Sequence, residues 1–286
     1  MTDLKSLVGV VVLYKCSIEE SSTIISLQKS LDGCEGKLQL LVIDNGPEKQ
    51  YFEESFENGP FDITYKHDPS NPGISKGYNE GVEFAISNDA SWILLLDQDT
   101  EFGIDFIDSY LRASEKYLPG DIVCLLPQIL SHDDKVVFSP SKMYPGGIIR
   151  PAKNIKPGII SEPITSINSG TFISLNFIES IGGFSNDYPL DMLDHWYFRE
   201  IKKTKKKIIL LNSFAYHNLS VISFFEEVSI DRYKSILYSE NKFFGNRISD
   251  LGIYKLRLII RLVRQLIAGK KDYAKLTCNY LINKLP

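Results

Sequence analysis

A chain of 286 residues, 43% hydrophobic and 24% charged, has the composition of an ordinary globular protein, long enough for one large domain or a domain with an appendage. Its net charge of −4 argues against a nucleic-acid binder, which normally carries a strong basic excess. No segment offers the roughly 18 uninterrupted apolar residues of a membrane span, and Met1-Thr2-Asp3-Leu4-Lys5 has no long apolar core behind a basic start, so the expected location is the cytoplasm. Cys16, Cys34, Cys124 and Cys278 are scattered, without C-x-x-C spacing, and read as buried free thiols.

Leu7 to Leu13 is an apolar, β-branched run that predicts a first central strand with Tyr14 at its carboxyl end. From Ser17 the pattern changes, and Ile18, Ile24, Ile25, Leu27 and Leu31 predict an amphipathic helix that stops at Gly33. Leu38 to Ile43 is a second buried strand, closed by the turn Asp44-Asn45-Gly46-Pro47. Strand, helix and strand with short connections form a βαβ unit and point to a parallel sheet. Asp44, at the tip of the second strand, sits where a nucleotide base or ribose would lie; the same residue is also good turn chemistry.

Phe61 to Lys66 alternates like a less buried strand, and Asp68 to Gly73 is a loop. Ile74 to Ile86 reads as a helix with Gly77 and Gly81 on one side, able to lie close to a neighbour. Its amino end, near Asn71 and Gly73, presents unpaired N–H groups that favour anions. Lys76 in the first turn either serves a phosphate or is a solvated surface lysine, and Asn79 is a weak polar contact on the same side.

Trp92 to Leu96 ends abruptly in Asp97-Gln98-Asp99-Thr100. In extended chain, residues i and i+2 project to one side, so both carboxylates would aim at one point beyond the sheet, which suits a hard divalent cation carrying a diphosphate. A helix-capping turn is the other reading. Ile104 to Leu118 predicts a helix and Ile122 to Leu126 a short strand. The proline-rich stretch from Gln128 to Pro163 is expected to be a long excursion with a hairpin or two and mobile loops. Ile167 to Ser174 predicts a strand carrying small polar residues, followed by a helical turn to Ile181 and a reversal at Gly182-Gly183-Phe184.

Asp187 to Arg199 is the second chemically dense stretch. Asp191 and Asp194 would share a helix face, beside Trp196, whose flat ring is of the kind sugars stack on. Leu193, Trp196 and Phe198 could equally be core. Five lysines between 202 and 207 read as a solvated patch, Ile208 to Leu211 as a final short strand, and His217 follows it.

Taken together, Val8–Lys15, Val42 to Gly46, Asn71 to Ile74 with Asn79 to Gly81, Leu95 to Asp99, Asn168 to Gly170 with Gly182 to Phe184, Asp191 to Arg199 and His217 resemble the family 2 inverting GT-A glycosyltransferases, closest to the bacterial rhamnosyltransferase-like branch. The likeness spans about residues 7 to 219. It implies an α/β fold of GT-A type: a Rossmann-like, mainly parallel central sheet with flanking helices. The donor half would occupy about residues 1–100 and the acceptor half about 101–219, with a C-terminal helical region over 220–286.

The activity implied is inverting hexosyl transfer from a nucleotide-sugar to a saccharide or lipid-linked saccharide during bacterial surface polysaccharide synthesis. L-rhamnose from dTDP-L-rhamnose is the first choice of donor, with UDP-hexoses (glucosyl, galactosyl, galactofuranosyl) behind it. By the same resemblance Tyr14 and Asp44 hold the base, Asn71, Gly73, Lys76, Asn79 and Gln98 complete the donor contacts, and Asp97, Asp99 and His217 hold Mg²⁺ or Mn²⁺. Asp194 matches the general base and Asp191 a neighbouring acid; Asp194-His195-Trp196 is one residue shorter than the commoner motif and lacks its glutamate, which leaves the choice of base between Asp194 and Asp191 open. Trp196, Ser169 and Gly170 form the expected acceptor side.

Beyond Ser220 the pattern ends. Ile253, Leu256, Ile260, Val263 and Ile267 follow helical spacing. Between Leu251 and Lys275, Lys255, Arg257, Arg261, Arg264, Lys270, Lys271 and Lys275 face only Asp272, a net of +6. Such a helix would lie on an anionic membrane, at its inner face. Packing on the catalytic domain or on a second subunit is the alternative. Two rival classes are a nucleotidyltransferase, although Tyr14-Lys15-Cys16-Ser17 is not glycine-rich, and a non-catalytic nucleotide-sugar-binding protein.

Overall fold

The computed structural model describes residues 4–117, 120–132, 136–152, 155–160, 162–217, 228–245 and 248–282, without the side chains of 248 and 249. It divides into two compact units, Met1–Ser141 with Pro151–Asn218, and Lys142–Arg150 with Leu219–Pro286.

In the first unit the elements run β1 (Leu7–Leu13), α1 (Ser22–Ser30), β2 (Leu38–Asp44), β3 (Ser55–Asn58), β4 (Phe61–His67), α2 (Ile74–Ser87), β5 (Trp92–Leu96), β6 (Thr100–Phe102), α3 (Phe106–Lys116), β7 (Ile122–Leu130) and β8 (Val137–Ser139). β9 (Ser141–Tyr144) and β10 (Ile148–Pro151), which pair with each other, belong but for their outer ends to the second unit, and the first resumes with β11 (Gly158–Ile160), β12 (Thr171–Ser174), α4 (Leu175–Ser180), α5 (Leu193–Thr204) and β13 (Lys207–His217). Among the described residues the main sheet has eleven strands, in the order β11-β13-β7-β12-β5-β1-β2-β4-β3, with β6 on β13 and β8 on β7.

The strands β5, β1, β2 and β4 are mutually parallel neighbours, as are β7 and β13. The α/β class expected from the sequence, a sheet with a parallel centre and flanking helices, is what the chain adopts. Alternation along β1 sorts its side chains. Leu7, Val11 and Leu13 join one core with Ile24 and Leu27 of α1 and Phe106 and Tyr110 of α3. Val10 and Val12 face α2, where a Cβ added at Gly77 would stand 2.8 Å from Val12 and one at Gly81 3.0 Å from Val10. The two glycines therefore do what their spacing predicts, letting α2 lie directly on β1.

Several boundaries differ from expectation. The first helix begins at Ser22 rather than Ser17, because the Ser21 hydroxyl caps it by accepting from the Ile24 N–H. β7 continues through Pro127 to Leu130, since its partner β8 is short and leaves room on that edge. The excursion contributes β8, β9, β10 and β11; residues 133–135, 153–154 and 161 within it lie outside the described residues, as does Leu118 of the expected third helix. The final strand is eleven residues long, not four, and runs to His217 across a register shift between Leu210 and Phe214. Asp191 is not helical. Met192 adopts a left-handed conformation (φ 67°) and α5 starts after it, so Asp191 and Asp194 do not share a helix face.

In the second unit, α6 (Ile230–Gly245), α7 (Ile248–Ile267) and α8 (Lys271–Leu281) pack on one another. Their buried side chains include Tyr233, Leu237, Tyr254, Leu258, Ala274 and Tyr280. Glu240 accepts two 2.9 Å hydrogen bonds from the Arg261 guanidinium, and Gln265, Tyr233 and Thr277 form a buried hydrogen-bonded chain. No helix among the described residues is long and apolar enough to cross a membrane. The four cysteines are free thiols, but only Cys124 is buried; Cys16 and Cys34 are half-buried and Cys278 is exposed, against the expectation of burial.

Candidate functional site

The chain lays β1 and β2 side by side, adds β4 outside β2, and then returns to place β5 on the other side of β1. The carboxyl ends of β1 and β5 therefore flank a topological switch point, where open α/β sheets bind their ligands. Three of the sequence-predicted groups arrive there through strand ends: Tyr14 after β1, Asp44 at the end of β2, and Asp97-Gln98-Asp99 after β5.

The turn after β5 is braced from four directions. The Thr23 hydroxyl of α1 donates to the Asp97 carbonyl (2.5 Å) and accepts from the Thr100 N–H (2.8 Å). The Ser21 hydroxyl donates to the Gln98 carbonyl, and the Ser169 hydroxyl accepts from the Asp97 N–H at 3.1 Å. The Gln98 side chain accepts from the Tyr14 N–H (2.7 Å), which ties the ends of β1 and β5 together. Reversal through this turn puts β6 antiparallel to β13 with Thr100 opposite His217. The His217 Nδ1 lies 3.0 Å from the Thr100 hydroxyl and 3.5 Å from an Asp99 oxygen. The long β13 is thus the device that carries His217 to the two acids.

Asp97 sits at the start of this turn. Burial lifts its carboxyl to about 6; the Asp99 and Asp194 charges push the same way, while His217 and a 3.2 Å hydrogen bond from the Tyr78 hydroxyl pull it down. Tyr78 is fully buried on α2, and burial holds its phenol well above the ordinary range, so it donates. Among the described residues no three His, Cys, Asp or Glu side chains close into a ready-made metal cage. What exists is an oxygen-rich pair plus one imidazole at a rim short of positive charge. That donor set fits a hard divalent cation whose remaining ligands come from a diphosphate.

Asp44 is fully buried, with one oxygen accepting from the Gly46 N–H (2.8 Å) and the other from the Tyr65 hydroxyl (2.6 Å). A carboxylate has about four lone-pair positions, so these two contacts leave about two of them unfilled. Tyr14 is 45% exposed, with Lys15 over its ring at 5.3 Å. Asn45 and Asn168 each bury a side-chain oxygen that meets no hydrogen-bond donor among the described residues. Such orphans are uncommon in native proteins and are relieved by a polar ligand or water.

Four expected contacts take other roles. The Asn79 amide grips the Phe184 backbone, donating to its carbonyl (2.9 Å) and accepting from its N–H (2.8 Å). It clamps the Gly182-Gly183 reversal and is not free for a donor. Lys76 pairs with Asp68 at 2.8 Å on the surface, and that contact holds the Asp68 carboxyl down at about 2. Ser169 and Gly170 are buried: the serine braces Asp97, and the Gly170 N–H donates to Leu95 (2.9 Å) where a Cβ would strike Phe102 and Pro127. They support the acid turn rather than line an acceptor surface. Alanine at Asn79 is expected to cost about 1–3 kcal/mol of stability, the range for stranding buried partners. A thermal melt beside a donor KM measurement checks this: the melting temperature should fall with KM unchanged.

The amino end of α2 is also not bare. Asn71 has φ 47° and Gly73 φ 95°; a Cβ at Gly73 would collide with the Pro189 carbonyl, which accepts from the Ser75 N–H at 3.2 Å. That contact fastens the 187–191 turn to α2. Asp194 stands in the first turn of α5, where negative charge is favoured, and accepts from the His195 N–H at 2.7 Å. The His195 Nδ1 shares a 2.6 Å hydrogen bond with Thr165. Trp196 is half-buried, tilted against Tyr188 with ring centroids 6.4 Å apart. Sequence reasoning missed Thr23, Tyr65, Tyr78, Thr165 and His195. Only the Ser21-Ser22-Thr23 cluster gave any local hint.

The architecture is an α/β sheet of GT-A type with paired acids at its switch point. The sequence model of glycosyl transferase family 2 matches residues 13–170, more than half of the chain, and the protein belongs to that family. The nucleotidyltransferase reading falls with that membership. Among solved structures the chain is similar to S. aureus TarS, at 12% identity and a TM-score of 0.52 over 96% of this chain. It spans 55% of that TarS chain, about half its length. It is also similar to residues 1–349 of S. aureus TarS in complex with UDP-GlcNAc, at 11% identity and a TM-score of 0.48, covering 96% of this chain and 91% of that one. At these identities the first likeness speaks for the fold alone and the second carries no argument. No curated protein matches.

Proposed function

We propose that the protein is an inverting hexosyltransferase that moves L-rhamnose from dTDP-L-rhamnose onto a saccharide or lipid-linked saccharide, in bacterial surface polysaccharide synthesis at an anionic membrane face. The observation that carries the reading is the convergence of Asp97, Asp99 and His217 at the rim of the sheet, within electrostatic reach of Asp194. Asp44 and Tyr14 would hold the base. Asp97, Asp99 and His217 would hold Mg²⁺ or Mn²⁺, and the bound cation would supply positive charge for the departing diphosphate.

Asp194 would take the proton of the acceptor hydroxyl while that oxygen attacks the anomeric carbon from the face opposite the nucleotide. The bond to the diphosphate oxygen breaks in the same step, so no covalent sugar intermediate forms on the chain. Asp191 lies outside the helix, ahead of Met192, and is assigned to acceptor orientation; Trp196 offers the ring against which a sugar packs. A UDP-hexose donor is the second reading, since the base pocket anchored at Asp44 suits any pyrimidine.

A panel of dTDP-L-rhamnose, UDP-glucose, UDP-galactose and UDP-galactofuranose, each with Mn²⁺, tests this through slow hydrolysis without acceptor. Turnover of dTDP-L-rhamnose is expected. Turnover of a UDP-hexose instead would replace the donor, and turnover of none would reject the catalytic reading.

A further inference from the structure

The second unit carries an apolar surface that its own core does not use. α7 turns about 100° per residue. Tyr254, Leu258 and Gln265 point to one side and are at most 1% exposed. On the opposite side Leu256, Ile259, Ile260, Val263, Leu266 and Ile267 form a continuous arc, each between 46% and 83% exposed. All are aliphatic. Isolated exposed leucines need no explanation, but six along one helix face mark an interaction surface.

The charge around this arc is not what the sequence count of +6 implies. Arg261 is engaged by Glu240, and Arg257 donates to the Gly146 carbonyl in a site where burial lowers its pKa. Neither is available to a partner. The cations that remain sit at the margins: Lys255 along one edge of the arc, exposed Arg264 along the other, and exposed Lys270, Lys271 and Lys275 beyond its carboxyl end, against Asp272 alone. An aliphatic strip with basic borders is the layout of a helix lying in the plane of a lipid surface, its stems snorkelling to the headgroups.

The unit's other segment extends the surface. The turn between β9 and β10 seats on α7, where a Cβ at Gly146 would collide with Ile253, at the border of the arc. Tyr144, Ile148 and Ile149 of this hairpin are 40–47% exposed, and Arg150 lies 5.9 Å from the Tyr144 ring. An aromatic ring beside a cation and two isoleucines repeats the same chemistry on a second element.

We infer that the exposed arc of α7, together with Tyr144, Ile148 and Ile149, docks on an anionic phospholipid membrane. This deepens the proposed placement of the enzyme at such a membrane and rests on it. A second copy of the chain is the poorer occupant, because an isologous contact through this face would bring two basic borders together.

The test is flotation of the full chain with vesicles of pure phosphatidylcholine and of phosphatidylcholine with 30% phosphatidylglycerol, followed by mass measurement in solution. Wild type should float with the anionic vesicles, and the double variant Leu256→Asp with Val263→Asp about tenfold less or worse, since it puts charge into the exposed aliphatic strip. Lys270→Glu with Lys271→Glu, at an exposed helix start, should lose the preference for anionic lipid without touching the core. Donor hydrolysis should persist in both variants, which shows them folded. Undiminished flotation of both would overturn the assignment of the surface while leaving membrane placement standing. Failure of the wild type to float would overturn placement and surface together. A wild-type dimer that the aspartates convert to monomer would assign the arc to a second copy instead.

Discussion

Replacing Asp194 by alanine is expected to lower the transfer rate by about 10²–10⁴-fold, the usual contribution of a positioned general base, with donor binding kept. The side chain is held by the His195 N–H at the start of α5, and its charge is felt at Asp97. Asp191 precedes left-handed Met192 and stands outside α5. Its alanine variant should raise the acceptor KM while sparing most of kcat. Comparing kcat with donor affinity for both variants decides the matter: transfer by Asp194→Ala at the wild-type rate rejects the assignment, and a pure binding protein would show no difference at all.

Asp97→Asn is expected to reduce kcat/KM by about 10²–10³-fold, the scale for removing one electrostatic stabiliser of a leaving group. It should do so without unfolding the protein. Because the folded-state carboxyl is raised to about 6, its contribution to stability is complete below the ordinary carboxylate value and is lost as pH rises through 6. Above that pH the ionised, buried acid works against the fold. Asparagine keeps an oxygen for the Tyr78 hydroxyl and removes the charge, so the variant should melt no lower than wild type at pH 7.5. A melting temperature several degrees lower would mean that Asp97 is structural. Inactivity with a preserved or raised melting temperature separates function from folding.

The central strands were legible because they are buried on both faces, which leaves β1, β2 and β5 as apolar runs with clean ends. β3 was not, being four alternately exposed residues on the sheet edge. The last strand read as four residues because Asn212 and Ser213 interrupt its apolar run; the register shift there lets it resume and reach His217. The α5 boundary was hidden for a different reason, since a methionine in a left-handed conformation has no composition signal.

At the site, acids and imidazole stood out as clusters at strand ends, which a single sequence can display. Their supports did not. Thr23 meets Asp97 and Thr100 across more than seventy residues, and Asn79 grips Phe184 across 105. Pairings at that range depend on which elements are neighbours in the sheet. Asn79 and Lys76 looked like donor contacts for the opposite reason: local spacing placed them on the right side of α2, while packing gave each a protein partner.

The most direct measurement is calorimetric titration of dTDP and UDP into the wild type and Asp97→Asn, each with and without Mn²⁺. If the rim of the sheet holds a cation-bridged diphosphate, one of the nucleotides should bind the wild type tightly only with the metal, and Asp97→Asn should not respond to metal. Equal affinity in both proteins, regardless of Mn²⁺, would contradict the account.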